Sequence, residues 1–272
     1  PLPRGSIQDL PCGWKGHEVF CGPHGLVALP DVILEGDGAL GLADVTSRSG
    51  LADVAAGFGL AACPLDGNGD GATDLYVAND STPNHLFFRD GSRLVEVAAR
   101  AGVLGSEGGM AQAGMGVAAA DLDGDGLIDL AVTNFSDEPT ELYRGLGDGR
   151  FRATTWISGI GPGTLGLLSW GIVALDLDAD GDLDLVQANG HVFPQADEPD
   201  TGTAYRQPTL VVLNDGSGRF SATEGLDWAR EPVLGRGLAL GDLDADGAVS
   251  YDVTIPEEFC SAAEISGSIA GE

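Results

Sequence analysis

A short acidic motif recurs along the chain at nearly constant spacing. "DLDGDGLID" begins at Asp121, and related nonapeptides begin at Asp66 ("DGNGDGATD"), Asp176 ("DLDADGDLD") and Asp242 ("DLDADGAVS"). Successive starts lie 55 residues apart (66 to 121, 121 to 176) and then 66 residues apart (176 to 242). A motif that returns at such a period indicates one copy in each structural unit, so the fold must be a repeat.

Each acidic motif lies between two short apolar runs. Runs such as "GMGVAAA" and "WGIVAL" precede it, and "DLYVAN", "DLAVTN" and "DLVQAN" end the first three copies. These runs are too short and too rich in Val and Gly for helices, so they predict a strand, a loop and a strand. Further on, "HLFFRDGSRLVEV", "ELYRGLGDGRFRAT" and "LVVLNDGSGRFSAT" each predict a hairpin around a Gly/Asp turn.

Four strands in about 55 residues describe the blade of a β-propeller. We therefore predict an all-β fold, a β-propeller of four-stranded blades, with about four to five blades in this chain and with ring closure left open. The segment "DVILEGDGALGLADVT" at residues 31–46 supplies a further hairpin without an acidic loop. We divide the chain into a Cys-containing N-terminal segment (1–30), the repeat region (31–249) and an atypical C-terminal tail (250–272).

The charge of the chain restricts its partners. Asp and Glu number 42 against 13 Lys and Arg, for a net charge of −29, so the surface should repel nucleic acids and anionic lipids. A cation is the partner that this charge favours. No apolar run reaches the length of a membrane span, so we expect none.

The loops match the preferences of calcium, which takes about six to eight oxygen ligands. Side chains at positions 1, 3 and 5 of a tight loop lie on one side of an ion, Gly at position 6 permits the bend, and Asp at position 9 completes the set. Solvated Asp/Gly turns are the alternative, and magnesium is a less suitable ion. The predicted ligands are Asp66, Asn68, Asp70, Asp74, Asp121, Asp123, Asp125, Asp129, Asp176, Asp178, Asp180, Asp184, Asp242, Asp244 and Asp246.

Two positions set these loops apart from one another and from EF-hands. An EF-hand places a bidentate Glu at position 12, where this chain has Val77, Val132, Gln187 and Val253. The fourth loop is the weakest, because Ser250 stands where the other three have Asp. We thus expect three well-formed calcium sites and a fourth that is weaker.

The cysteines give an indication of the cellular compartment in which the protein folds. Cys12 and Cys21 lie in "CGWKGHEVFCGP", which predicts a short disulfide-closed loop in an oxidising compartment, with free thiols or a metal site as alternatives. Cys63 follows an apolar run, and we predict a small buried residue. The sequence shown carries no signal peptide. We expect a secreted, periplasmic or cell-surface location.

Several motifs resemble a known family. The pattern G-x-x-x-A-x-x-D-x-D-x-D-G-x-x-D-L, with "LYRGLGDGRF", resembles the FG-GAP or VCBS repeat of integrin-α-type propellers. "DLYVANDSTPNHLFF", "AQAGMGVAAADLDGDGLIDLAVTNFSDE" and "QANGHVFPQAD" are similar to bacterial relatives of cartilage acidic protein, which often carry an ASPIC/UnbV domain. "CGWKGHEVFCGP" also resembles a Cys-containing insertion of that family.

The resemblance covers residues 12–249 and implies a secreted or cell-surface calcium-binding propeller used for adhesion or binding. Relatives have seven blades, so the resemblance implies that this is a partial chain, without the ASPIC/UnbV domain. The sequence departs from the pattern at residues 250–272, which do not continue the expected strand.

The sequence offers no converging set of catalytic residues. The four histidines are dispersed, and no nucleophile elbow, HExxH motif or phosphate-binding loop is present. His85 and His191 follow Asn-ended strands, and we interpret both as loop-packing residues. The leading hypothesis is a non-catalytic extracellular module with structural calcium. The alternative is a calcium-dependent carbohydrate-active enzyme, such as a lyase-like propeller, which the 13 basic residues and 4 Trp do not favour.

Three segments are candidates for a partner-binding face, and we call them the rim loops. They are "NDSTPN" (79–84), "NFSDEPTE" (134–141) and "NGHVFPQADEP" (189–199), each at the end of a predicted strand. Loops on one face of a propeller can vary while its strands cannot, so this face could take a protein or a glycan ligand. Ordinary turn formation by Asn and Asp is the alternative interpretation.

Overall fold

The computed structural model describes residues 12–23, 25–223, 226–241, 250–254 and 265–268. Within these ranges most of the residues in regular secondary structure lie in strands, and the helices are short. The strands are β1 (Cys12–Trp14), β2 (His17–Val19), β3 (Leu34–Gly36), β4 (Leu42–Asp44), β5 (Gly59–Leu65), β6 (Asp74–Asn79), β7 (His85–Asp90), β8 (Arg93–Glu96), β9 (Val117–Ala120), β10 (Asp129–Val132), β11 (Glu141–Gly145), β12 (Phe151–Ala153), β13 (Ser169–Leu175), β14 (Asp184–Asn189), β15 (Leu210–Asn214), β16 (Phe220–Ala222), β17 (Gly237–Gly241), β18 (Ser250–Thr254) and β19 (Ile265–Ser268).

Short helical turns connect some of these strands. The α-helices are α1 (Thr46–Ser49), α2 (Ala98–Ala101), α3 (Ile160–Thr164) and α4 (Asp227–Arg230), and 3₁₀ turns span Leu51–Asp53 and Pro194–Asp197. No helix among the described residues is long and apolar enough to cross a membrane.

Three antiparallel four-stranded sheets form the body of the described chain. They are β5-β6-β7-β8 (blade 1), β9-β10-β11-β12 (blade 2) and β13-β14-β15-β16 (blade 3). A three-stranded sheet, β17-β18-β19, follows, and the hairpin β3-β4 precedes blade 1. The predicted all-β, β-propeller-like fold is therefore confirmed, with four strands in each of blades 1 to 3, as is the hairpin within residues 31–46.

The acidic loops join the first and second strands of each blade. We call residues 66–74, 121–129 and 176–184 loop 1, loop 2 and loop 3. The Asp at position 9 begins the second strand, and in loop 2 it pairs with the last residue of the first strand, Asp129 with Ala120. Ser250 pairs with Gly241 at the same point of the next sheet, so the expectation that the second strand does not continue here was wrong for residues 250–254, although their sequence departs from the repeat. The predicted ligands of the fourth loop, Asp242, Asp244 and Asp246, lie outside the described residues.

Neighbouring blades pack face to face, so their central strands are apolar on both sides. In β6, Tyr76 belongs to a core that also contains Leu130 of blade 2, while Val77 belongs to a separate core on the opposite face. In β14, Leu185 and Val186 likewise belong to two different cores. A strand that is buried on both faces has apolar residues at consecutive positions, because its side chains alternate between the two faces. This explains the "LYVA" and "LAV" segments.

Glycines let the first strands of adjacent blades approach each other. A Cβ atom on Gly116 would lie 2.0 Å from the carbonyl oxygen of Trp170 in blade 3. At the same point the Thr133 hydroxyl donates a 2.5 Å hydrogen bond to that carbonyl. A Cβ atom on Gly171 would lie 2.8 Å from the backbone nitrogen of Leu238 in the next sheet. The Gly-containing runs before the loops are therefore required for contact between blades.

The structure tests two predictions about the cysteines. Cys12 and Cys21 form the predicted disulfide, which closes the β1-β2 hairpin. Cys63 is free and half-buried, so the prediction of a buried residue was wrong. It lies on β5, which is an edge strand of blade 1 and is therefore covered on fewer sides than the central strands.

Replacing Gly116 with Ala should destabilise the protein, because the added methyl group meets backbone atoms that cannot move independently. Overpacking of this kind costs about 1–3 kcal/mol. Gly166→Ala is the matched control, since no heavy atom lies within 4 Å of the position its Cβ would take. Thermal unfolding should show a lower midpoint for Gly116→Ala alone. Equal midpoints for the two variants would contradict close packing of the blades at Gly116.

Candidate metal centre

The first Asp of each loop organises the loop backbone. In loop 2, Asp121 Oδ1 accepts hydrogen bonds from the backbone N–H groups of Gly124 (2.8 Å) and Asp125 (3.1 Å), and Oδ2 accepts one from Gly126 (2.9 Å). The first aspartate of loop 1, Asp66, accepts the three equivalent bonds, and that of loop 3, Asp176, accepts those from Asp180 and Gly181. Because the loop wraps around this carboxylate, these hydrogen bonds hold the loop backbone in shape.

The ninth Asp ties each loop to the third strand of its blade. Asp129 is 1% exposed, and its Oδ2 accepts the Leu122 N–H (3.1 Å) while its Oδ1 accepts the Gly145 N–H (2.8 Å). Asp74 and Asp184 are buried to the same degree and accept equivalent pairs of bonds. The spacing of the motif predicted these residues as ligands, but it gave no signal of this second role.

Two of the three described loops bring three carboxylates together. In loop 2, Asp121, Asp123 and Asp129 each offer an oxygen atom, and these atoms lie within 4.8 Å of one another. Asp176, Asp178 and Asp184 do the same in loop 3. Carboxylate oxygens this close fit a hard divalent cation such as calcium.

Other predicted ligands are not brought into these groups. The exposed Asp125 and Asp180 accept the backbone N–H groups of Leu127 and Asp182. In loop 1, Asp66, Asp70 and Asp74 do not form such a group among the described residues. Asn68 Nδ2 there donates a 3.0 Å hydrogen bond to Asp70 Oδ2, so an amide takes the place of a third-position carboxylate.

Burial and mutual repulsion disfavour negative charge in these loops. Burial raises the pKa of Asp129 to about 6, and the charges of Asp123 and Asp125 add to the rise, although the hydrogen bonds from Gly145 and Leu122 oppose it. Burial also raises the pKa of Asp74 and of Asp184. A bound cation would favour the ionised forms, which are the forms that serve as ligands.

Loop 2 is joined to blade 3 as well as to its own blade. Asp123 Oδ2 lies 2.9 Å from Arg144 Nη1, and the same guanidinium donates to the carbonyl oxygen of Ser217 in the β15-β16 turn. Asn214 Nδ2 donates a 2.8 Å hydrogen bond to the Leu122 carbonyl. Arg144 was missed from the sequence, because it belongs to another strand and nothing in its local pattern points to the loop.

The disulfide-closed hairpin β1-β2 packs on the rim loops. The ring centroid of Trp14 lies 4.5 Å from that of His191 and 5.7 Å from that of Phe193. Lys15 Nζ lies 2.8 Å from Asp137 Oδ2, so a charged contact adds to the aromatic ones. The rim loops thus lie together at one face, as the repeat predicted, but the hairpin covers part of it.

A cavity of about 520 Å³ lies between this hairpin and the rim loops. Trp14, Phe20 and Trp170 contribute aromatic surface, and Asp80 and Glu138 contribute carboxylates. Burial raises the pKa of Glu138. The cavity can therefore hold a ligand with both apolar and hydrogen-bonding groups.

His191 is a buried part of this packing. It is 0% exposed, its Nδ1 accepts the Phe193 N–H (3.0 Å), and its Nε2 lies 3.1 Å from the Ser136 hydroxyl. Burial lowers its pKa to about 4, so the ring is neutral at pH 7. Burial also lowers the pKa of His85. Neither side chain is free to move protons at an exposed site.

Comparison with known proteins supports the repeat. A model of the FG-GAP-like repeat matches residues 66–132 and 121–186, so the chain contains FG-GAP-like repeats. Cartilage acidic protein 1 of Mus musculus is 34% identical over 123 residues, which are 42% of this chain and 18% of the relative. The Xenopus tropicalis protein of the same name is 29% identical over 237 residues, which are 83% of this chain and 33% of the relative. The chain thus spans between 18% and 33% of the length of these relatives.

Two solved structures are also similar to the chain. An Agrocybe aegerita lectin, described as recognising non-reducing terminal N-acetylglucosamine, has a TM-score of 0.40 and 19% identity, over 71% of this chain and 45% of the lectin. The V. cholerae biofilm matrix protein Bap1 has a TM-score of 0.37 and 19% identity, over 74% of this chain and 36% of Bap1.

Asp129→Ala should destabilise the protein both with calcium and with a chelator, because it leaves two buried N–H groups unpaired. Each such group costs about 1–3 kcal/mol. Asp125→Ala is the matched control, since this exposed residue accepts a bond within the loop and its loss should matter chiefly when calcium is present. Thermal unfolding of both variants in both buffers checks this. An equal midpoint for the two variants in chelator would refute the hydrogen-bonding role of Asp129.

His191 should make the protein less stable in acid. Its pKa is near 6.5 in an unfolded chain and about 4 in the fold, so the unfolded state binds the proton more readily below pH 6.5. The free energy of unfolding therefore decreases as the pH falls from 6.5 towards 4, and at pH 5 it is lower by about 1–2 kcal/mol. Denaturant unfolding from pH 7 to 5 should show a shallower decline for His191→Gln than for the wild type. Parallel curves would contradict this assignment.

Proposed function

We propose that this chain, which carries FG-GAP-like repeats, is a non-catalytic calcium-binding module of an extracellular binding or adhesion protein. The observation that supports the proposal most directly is the convergence of three carboxylates in loop 2 and again in loop 3. In each loop one of the three is the buried ninth Asp. In this proposal calcium is a structural ion rather than a signal, because the loops are flanked by strands of rigid blades and not by movable helices.

The residues that would hold calcium follow from the loop geometry. Loop 2 would bind through Asp121, Asp123 and Asp129, which converge, together with the exposed Asp125 beside them, and loop 3 through the equivalent aspartates. Loop 1 would bind through Asp66, Asn68, Asp70 and Asp74, although it lacks the three-carboxylate group. The bound ion would supply positive charge that offsets the repulsion among these carboxylates. Calcium suits the irregular oxygen set better than magnesium, which prefers strict octahedra and retains its waters.

An extracellular or periplasmic location fits two features of the chain. The Cys12–Cys21 disulfide closes a hairpin that packs on the rim loops, and such bonds persist in oxidising compartments. Calcium sites of moderate affinity are filled mainly outside the cell, where free calcium is abundant.

The rim loops and the hairpin together are the proposed binding face. The cavity of about 520 Å³ between them has a volume typical of ligand sites, which span roughly 300–1,000 Å³. Its aromatic and carboxylate lining suits a segment of a protein or a glycan. The binding is non-catalytic in this proposal, because His191, which packs against Trp14 of this face, is fully buried and bonded to Ser136.

Calcium should raise the thermal unfolding midpoint of the purified protein. An ion that binds only the folded state stabilises it by about 2.7 kcal/mol for each site when its concentration is 100 times the dissociation constant. We expect a higher midpoint in excess calcium than in chelator, and a smaller effect of magnesium. Asp121→Ala should reduce the calcium-dependent shift, whereas Asp90→Ala, in an exposed hairpin turn, should leave it unchanged. The same midpoint in calcium and in chelator would refute structural calcium.

A further inference from the structure

A second cavity, on a different surface from the rim loops, is rich in arginine. It has a volume of about 680 Å³ and lies between β12 and the segment after it in blade 2 and the β15-β16 turn of blade 3. Arg144, Arg152 and Arg219 line it, together with Trp156 and Glu107. The chain has only 13 Lys and Arg against 42 Asp and Glu, so three arginines around one cavity are an unusual grouping, although Glu107 also lines it and Asp123 pairs with Arg144.

The arginines are placed in a way that folding alone does not favour. Arg144 and Arg152 face each other in register across β11 and β12, and like charges at directly opposed positions destabilise a sheet. Arg144 is engaged by Asp123 and the Ser217 carbonyl. An anion in the cavity would offset the repulsion between the two guanidinium groups.

Two of the three guanidinium groups have donors to spare. In the part of the chain that the structure describes, the exposed Arg152 side chain forms no ion pair. The Arg219 guanidinium donates a long 3.5 Å bond to the Ile157 carbonyl, and its charge also interacts with Asp215 in the same turn. A guanidinium presents five N–H donors in a planar fork that matches a carboxylate, so this pair is suited to an anionic group.

Trp156 adds a flat apolar surface beside these charges. Its side chain is 52% exposed, and the Ile157 side chain next to it is 69% exposed. A Cβ atom on Gly161 would lie 2.9 Å from the indole ring, so one side of the ring rests on α3. The glycine therefore fixes the ring in place. An indole held in this way offers its free surface for stacking against a ligand ring.

We propose that this cavity binds an acidic saccharide. The carboxylate of a uronic acid residue would pair with Arg152 and Arg219, and the apolar face of its pyranose ring would stack on Trp156. The Glu107 carboxylate would accept hydrogen bonds from sugar hydroxyl groups. A nucleic acid is disfavoured, because its phosphates continue along the strand and would meet a chain of net charge −29 outside the cavity, whereas the carboxylate of one uronic acid residue meets the arginines within it. This site goes beyond the proposed calcium and rim-loop function and uses none of the rim-loop residues.

Isothermal titration with trigalacturonate, in buffer containing calcium, tests the proposal. We expect saturable binding by the wild type, at least tenfold weaker binding by Arg152→Gln and Arg219→Gln, and at least fivefold weaker binding by Trp156→Ala. Arg93→Gln, which removes an exposed arginine of blade 1, should bind like the wild type. Arg152→Lys should recover part of the affinity, because it keeps the charge. All four side chains are on the surface, and thermal unfolding verifies that each of the five variants is folded.

Matched ligands distinguish binding of an acidic saccharide from binding of any anion and from binding through calcium at loop 2. The neutral trisaccharide of galactose should bind at least tenfold more weakly than trigalacturonate. Equal binding of the two, or binding of sulfate that is insensitive to Trp156→Ala, would overturn the proposal. Binding that survives Arg152→Gln and Arg219→Gln but falls in Asp121→Ala would show calcium bridging at loop 2 and would also overturn it. Absence of binding by a folded wild type refutes this site alone, because calcium-dependent stability is measured without saccharide.

Discussion

One buried carboxylate in each repeat connects the loop, the second strand and the third strand of a blade. The ninth Asp begins the second strand, accepts an N–H from the start of its own loop, and accepts another from the third strand. Both oxygens of Asp129, Asp74 and Asp184 are used in the same way. An ionised carboxylate is suited to this role because it can accept a hydrogen bond on each oxygen without presenting a donor to either N–H group. The ninth Asp is held in place by the sheet, and the rest of the loop packs around its carboxylate.

If these loops bind a metal ion, this arrangement makes that binding inseparable from blade structure. The carboxylate that closes the blade also provides one of the three oxygens that converge in loops 2 and 3. Burial and neighbouring charges oppose its ionised form, so the carboxylates of the loop repel one another unless a cation lies between them. A loop of this kind differs from a solvated Asp/Gly turn, which exposes its carboxylates and has no buried member. The exposed Asp125 and Asp180 resemble such turns more than the buried aspartates do.

The repeat could be predicted from the sequence because its signals are local. The period of the acidic motif, the flanking apolar runs and the Gly/Asp turns each depend on residues close together in the chain, and the three described blades follow them. The Cys12–Cys21 disulfide was predictable for the same reason. Contacts between distant segments were not predictable. Nothing near Trp14 indicates that it packs on His191, and nothing near Arg144 indicates Asp123. Cys63 was misjudged because edge position depends on strand order, which hydrophobicity does not reveal.

Arg144 shows that the charges of loop 2 and of the arginine-lined cavity are not independent. Its guanidinium contacts Asp123 in the loop, and its side chain also lines the cavity between blades 2 and 3. A cation in loop 2 would compete with Arg144 for the Asp123 carboxylate, because one carboxylate has a limited number of acceptor sites. Any displacement of Arg144 from Asp123 would leave more positive charge unpaired in the cavity. Coulomb interactions over such short distances in a partly buried region are weakly screened by salt, so the two surfaces share one electrostatic environment.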